Sequence, residues 1–167
     1  QQAVKDRLTI EIGAAKKTGK PLPHLLITGR SGCGKSTLSA IVAQEMGSPY
    51  LAVLADKLKD THDLIRLLAQ VTEGTILHLD EAHRLRKNSS CELLYSAMED
   101  FTVAYRNGAG QVKRAAIPPF TLISSTNMSG YLAPSFRERH SILLHLVPYT
   151  DEESRKIAGW HFRNKEK

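Results

Sequence analysis

The run Gly29-Arg30-Ser31-Gly32-Cys33-Gly34-Lys35-Ser36 constrains this chain more than any other feature. It fits G-x4-G-K-S/T, with a short apolar segment before it and a helix-forming segment after it. Each residue type has a chemical reason. Glycines let the backbone fold tightly and turn its N–H groups toward phosphate oxygens. A helix starting at Lys35 would add its positive end. Lys35 is expected on the β- and γ-phosphates and the Ser36 hydroxyl on Mg²⁺. Thr37 can donate to a neighbouring phosphate. Gly29, Gly32, Cys33 and Gly34 form the cradle. No histidine is placed to activate Cys33, which therefore reads as a small spacer and not as a nucleophile. Four such fixed positions arise by accident in on the order of a few chains per thousand. The strand before and the helix after reduce that further.

The rest of the sequence supplies the frame for such a loop. The 167 residues suit one domain, long enough for a sheet with helices on both faces. Apolar spacing at Val4, Leu8, Ile12 and Ala15 predicts a helix over 3–17. Short apolar runs at His24 to Thr28, Tyr50 to Leu54, Thr75 to Leu79, Phe120 to Ser124 and Ile142 to Val147 predict buried strands. Helices are expected from Lys35 to Met46, from Thr61 as cap through Val71, and from Ser89 or Ser90 to Asp100. Asn107-Gly108-Ala109-Gly110 between Phe101–Tyr105 and Val112–Ile117 reads as a β-hairpin. Thr150 to Glu153 is a capping box that opens a last helix. Alternating strands and helices argue for a parallel sheet in an α/β fold.

Charge and cysteine usage narrow the classes further. The formal charge of +6 is scattered along the chain, as solvated helix ends and loops would be. It permits nucleic-acid binding without requiring it. No apolar run is long enough to span a bilayer, so no membrane partner is expected. Cys33 and Cys91 make no metal spacing, which fits a reducing, cytoplasmic setting.

A second chemical feature closes the run Ile76 to Leu79, where Asp80 and Glu81 follow an apolar strand. A carboxylate at the end of a strand beside the phosphate loop can hold the Mg²⁺ shell through water, which suits Asp80. Glu81, one residue farther, can polarise an attacking water as general base. His78 is read as an inward-facing core residue, and His83 is left open. Asp80-Glu81-Ala82-His83 also spells the signature of a two-domain helicase class. Only one strand and one helix fit between Lys35 and Asp80, which argues against that class.

These residues resemble the RuvB family of AAA+ ATPases from Leu22 to Glu153. The carriers are His24 to Gly29, Asp80 to Leu85, Glu92 to Phe101, Pro119 to Ile123 and Arg137-Glu138-Arg139. The resemblance implies a three-layer P-loop fold with a five-stranded parallel sheet in the order 5-1-4-3-2. It implies an AAA+ large subdomain over 1–167, with an inserted hairpin at 101–117 and the start of a lid at 150–167. It implies ATP and Mg²⁺ as cofactors, and ATP hydrolysis in a ring, a hexamer in the full-length protein, coupled to DNA branch migration. Asn127 takes the place of the sensor that orients the attacking water. Arg139 takes that of the arginine finger that reaches a neighbour's nucleotide, with Arg137 as fallback. Tyr149 matches a nucleotide-contacting tyrosine before the lid, or is a plain capping aromatic. Glu99, Asp100 and Phe101 match a segment near the subunit boundary and the nucleotide. The hairpin, through exposed Val103 and Tyr105, matches a grip on a RuvA-like partner, or simply covers the sheet.

The chain also departs from the family's pattern. Arg30 and Ser31 stand where the family has prolines, Met128 where it has arginine, and His140-Ser141 where it has Phe-Gly. The resemblance places adenine-binding residues before Gln1, and a lid and a DNA-binding winged helix beyond Lys167. DNA contact is therefore expected through such a domain or the ring pore, and Gln1 reads as the start of a fragment. Two other readings stay open. One is a different AAA+ role, such as a clamp loader or a transposition or phage DNA-loading helper. The other is a nucleotide-gated assembly module with little turnover.

Overall fold

The apolar runs and helical segments alternate as expected in a computed structural model that describes residues 1–85, 89–106 and 110–164. The turn read at Asn107, Gly108 and Ala109, the basic pair Arg86 and Lys87, and the chain end at 165–167 lie outside the described residues. Helix α1 spans Gln2–Thr18, β1 Leu25–Gly29, α2 Lys35–Met46 and β2 Tyr50–Leu54. Then come α3 (Thr61–Leu68), β3 (Ile76–Asp80) and α4 (Ser89–Asp100). The ribbon strands β4 (Thr102–Arg106) and β5 (Val112–Ala116) precede β6 (Thr121–Thr126). A short α5 (Pro134–Glu138), β7 (Ile142–Leu146) and α6 (Asp151–Asn164) complete the order. No helix among the described residues is long and apolar enough to cross a membrane.

The main sheet is parallel, in the order β2-β3-β6-β1-β7. Counting only its own strands along the chain, this is 5-1-4-3-2 read from the other edge. Alternation along each strand divides the core into two layers. Leu25 and Ile27 of β1, Ile123 of β6 and Ile142, Leu144 and Leu146 of β7 pack against α1 and α2. Leu26, Leu77, Leu79 and Leu122 point the other way, to α3, α4 and α5. Each side chain so buried contributes about 1.5–3 kcal/mol. The three-layer α/β architecture follows, with the phosphate loop at the C-terminal edge of the sheet.

Local signals explain most element ends. Thr150 and Glu153 form the capping box: Thr150 N–H donates to Glu153 Oε2 at 2.8 Å, and Glu153 N–H to Thr150 Oγ1 at 3.2 Å. The cap of α3 is Asp60, whose carboxylate accepts from Asp63 N–H at 3.0 Å, so the expectation of Thr61 is corrected by one residue. A carboxylate is the stronger acceptor at a positive helix end. Helix α3 also stops at Leu68, short of Val71. The ribbon β4–β5 pairs Thr102 with Ala116 and Arg106 with Val112. Val103, expected to be exposed, is only 5% accessible and packs into the core beside α4. Tyr105 is 39% accessible, so it alone of the pair is available as a grip.

The central strand β6 is the exception to apolar strand chemistry. Ser124, Ser125 and Thr126 are fully buried in it. Each hydroxyl lies 2.9 Å from an imidazole nitrogen: Ser124 from His140, Ser125 from His78, Thr126 from His83. His140 also contacts the Phe136 carbonyl at 2.8 Å through Nδ1. Burial pushes its pKa from 6.5 down to about 4, against the raising effect of that carbonyl. The unfolded chain therefore binds one more proton than the folded one between those values. Stability from this residue is complete above pH 6.5 and is lost as pH falls toward 4, by about 3 kcal/mol. Burial lowers His24 and His78 too, with the same sign. Urea unfolding at pH 7 and pH 5 will show this loss. His140→Phe, which keeps a ring against Phe136, will flatten the slope; an unchanged slope would assign the acid sensitivity elsewhere.

Candidate functional site

The site grows from three strand ends. β1 ends at Gly29, where a Cβ would lie 2.6 Å from the Leu146 carbonyl of β7, so only glycine lets the two strands close there. The chain then turns through Gly32 and Gly34, at φ 83° and 86°, conformations that other residues adopt at a cost. Gly34 caps α2, leaving the first N–H groups of that helix without partners inside it. Cys33 is buried among the residues under α2, as a spacer would be. Lys35 is also buried, and its Nζ donates to the Gly29 carbonyl at 3.0 Å and the Arg30 carbonyl at 3.1 Å. The ammonium thus closes the loop on itself. Thr37 is exposed two residues farther along α2.

The acidic strand end meets this loop directly. Ser36 Oγ donates to Asp80 Oδ2 at 3.1 Å across 44 residues of sequence. Asp80 Oδ1 accepts from the Glu81 N–H at 2.9 Å and from Ser125 Oγ at 2.5 Å. Burial alone would raise this carboxyl; the donors Ser125, Glu81 N–H and Ser36 outweigh it and hold it below the usual carboxylate range. Asp80 is therefore ionised at neutral pH. Ser36 and Asp80 are hard oxygen donors side by side. That set fits Mg²⁺, which keeps several waters and takes one or two protein oxygens with phosphate. Among the described residues no cluster of three or more His, Cys, Asp or Glu side chains forms a protein-only metal cage.

Glu81 has φ 54°, left-handed backbone outside glycine, which costs about 1–3 kcal/mol. A tight turn holds it there, Arg84 N–H donating to the Glu81 carbonyl at 2.8 Å. Its Oε2 lies 3.4 Å from His83 Nε2 and 3.5 Å from Arg84 Nε. His83 in turn reaches Thr126 Oγ1 through Nδ1. The residue left open in the sequence thus ties the acidic turn to the end of β6. Asn127 follows at once and is exposed. Thr126 Oγ1 also accepts the Met128 N–H at 2.9 Å, which turns the chain there. Tyr149 comes to the same edge: a Cβ on Gly34 would sit 3.3 Å from its hydroxyl.

Other expected residues gather elsewhere. Arg139 caps the C-terminal end of α5, with Nη2 3.0 Å from Glu99 Oε1 and its guanidinium carbon 4.3 Å from the Tyr95 ring centroid. Phe101 turns edge-on to Phe120, with ring centroids 5.9 Å apart, at the N-terminal end of β6. Asp100 is exposed at the end of α4. Glu99, Asp100 and Phe101 therefore stand apart from their own chain's phosphate loop. Arg137 is exposed on α5.

Comparison with known proteins bears on this arrangement. Residues 1–146 match the family described as the Holliday junction DNA helicase RuvB P-loop domain. The Holliday junction branch migration complex subunit RuvB of Oenococcus oeni is 40% identical over 161 residues, 95% of this chain and 47% of that protein. Its counterpart in Fervidobacterium nodosum is 38% identical over 160 residues, 94% of this chain and 46% of that protein. The solved Thermotoga maritima RuvB Holliday junction branch migration motor superposes with a TM-score of 0.81 at 37% identity, covering 94% of this chain and 48% of that one. A point mutant of Thermotoga maritima RuvB gives a TM-score of 0.85, also at 37% identity, over 94% of this chain and 49% of that one. The chain spans about half the length of the relatives it matches.

Proposed function

Since the chain belongs to the family of Holliday junction DNA helicase RuvB P-loop domains, we propose that it is the ATP-hydrolysing core of a branch-migration motor. The observation that carries the reading is the Ser36–Asp80 hydrogen bond. It joins the phosphate loop to the acidic strand end, the two halves that Mg²⁺-nucleotide chemistry requires.

The residues divide the work. Loop N–H groups, the α2 N-terminus and Lys35 bind the phosphates, with Thr37 beside them. Ser36 and Asp80 would hold Mg²⁺, Asp80 through water, and the ion would supply neutralisation of the phosphate charge. Glu81 takes the proton of the attacking water, and Asn127 orients that water. Tyr149 closes over Gly34 against the nucleotide. Arg139, with Glu99, Asp100 and Phe101 near the same boundary, serves a neighbouring subunit's site. A ring, hexameric in the full-length protein, then completes each site from two copies. Exposed Tyr105 on the β4–β5 ribbon offers the contact for a RuvA-like partner. DNA is engaged by the ring pore or by a domain outside this chain.

Lys35→Ala tests the first step. Its ammonium makes charge-assisted bonds to phosphate worth about 1.5–3 kcal/mol, so nucleotide affinity should fall by about ten- to a hundredfold in a fluorescent-ADP titration. Affinity equal to wild type would remove the phosphate-binding assignment.

A further inference from the structure

The phosphate site is wired to the edge of the sheet. Four side chains on three adjacent strands form one line: Tyr50 on β2, His78 and Asp80 on β3, Ser125 on β6. Tyr50 Oη lies 2.9 Å from His78 Nδ1, His78 Nε2 lies 2.9 Å from Ser125 Oγ, and Ser125 Oγ lies 2.5 Å from Asp80 Oδ1. The rings of Tyr50 and His78 stack with a 20° interplanar angle.

Hydrogen-bond accounting gives the line a direction. An ionised carboxylate only accepts, so the single Ser125 proton goes to Asp80. Ser125 Oγ must then accept, so the His78 proton is on Nε2. Nδ1 of the neutral ring is thereby an acceptor, and the Tyr50 O–H donates to it. Every proton in the line points toward Asp80. The two carboxylate oxygens are separated as a result. Oδ1 is occupied by Ser125 and the Glu81 N–H, while Oδ2 faces Ser36 and the phosphate loop.

We infer that Ser125, backed by His78 and Tyr50, is a positioning residue for Asp80, fixing the carboxylate so that Oδ2 alone is presented to Mg²⁺. This rests on the nucleotide reading above. A carboxylate that loses its anchor gains torsional freedom and must be ordered again on each metal binding. A hydrogen bond to a charged group of this kind is worth about ten- to a hundredfold in an equilibrium constant. The device needs polar residues inside a sheet, and His78 and Ser125 are both buried there with their polar atoms paired.

The test uses the 167-residue chain with ADP as the nucleotide and Mn²⁺ as the metal probe. Ser125→Ala should weaken Mn²⁺ binding to the ADP complex by about tenfold, read by electron paramagnetic resonance. Its ADP affinity in chelator should match wild type. Tyr50→Phe, at the partly exposed far end, should act in the same direction and more weakly. Imidazole ¹⁵N shifts should report His78 of wild type as the Nε2–H tautomer at pH 7.5. The inference is overturned by equal Mn²⁺ affinity in wild type and Ser125→Ala, by an Nδ1–H or cationic His78, or by an equal loss of ADP affinity without metal. A wild-type chain that binds no Mn²⁺–ADP would overturn the nucleotide reading and the metal half of this inference together. The His78 tautomer would still report the line itself.

Discussion

Glu81→Gln will reduce ATP turnover by about 10²–10⁴-fold while nucleotide binding stays within about twofold of wild type. The substitution keeps the shape of the side chain and removes only its basicity. Its backbone bond to Asp80 Oδ1 is made by the N–H and is untouched. The turn that holds φ at 54° is made by the Glu81 carbonyl and is also untouched. The side chain's own partners, His83 and Arg84, sit at 3.4 and 3.5 Å, long for hydrogen bonds, and Gln can meet the same neighbours. Ground-state binding therefore has little reason to change, and the chemical step has every reason to. Steady-state turnover beside fluorescent-nucleotide titration separates the two. Undiminished turnover would remove Glu81 as the base. Negligible turnover already in wild-type rings, with assembly dependent on ATP, would favour a nucleotide-gated assembly module.

Much of this site was legible because its chemistry is local. Gly29 to Ser36 form one turn and one helix start, and Asp80 and Glu81 end one strand, so spacing alone placed them. The strand order came by resemblance to the family, and the observed sheet agrees with it. The wiring behind the site was illegible because it is made across strands. Ser124, Ser125 and Thr126 look like the polar end of a strand that should stop at Ser124. They stay buried because His140, His78 and His83, each distant in sequence, arrive to pair them. His78 was placed correctly as an inward residue, yet its partners lie on two other strands. Val103 failed for a related reason: a ribbon has two faces, and which one meets α4 depends on packing that alternation cannot reveal. Tyr149 was ambiguous by sequence, and only the approach of its hydroxyl to Gly34 puts it at the phosphate edge.

Arg139→Ala will lower turnover of assembled rings by about 10³–10⁵-fold, the effect of removing an arginine that stabilises transferring-phosphoryl charge. Subunits carrying Arg139→Ala mixed with subunits carrying Glu81→Gln will regain part of the activity. In such a ring a working base and a working arginine meet at one boundary although no single subunit has both. The resting geometry fits this role. Arg139 is 24% accessible in its side chain and is held by Glu99, itself 54% accessible. A partly exposed pair of this kind contributes about 0–1 kcal/mol, the Tyr95 face adds about 0.5–1, and the bond from Nη1 to the Ser135 carbonyl adds about 0.5–1.5. Its Nε is buried with no hydrogen-bond partner among the described residues, which lowers the cost of leaving. Release therefore costs less than the gain of about 10³–10⁵-fold that a finger makes on the phosphates of a neighbour. Activity of the mixed rings no greater than the sum of the two separate variants would place Arg139 outside the trans role. Arg137→Ala in the same mixture is the control, since that side chain is exposed two residues away on α5. Rescue by Arg137→Ala subunits, with Arg139→Ala silent, would transfer the role to Arg137.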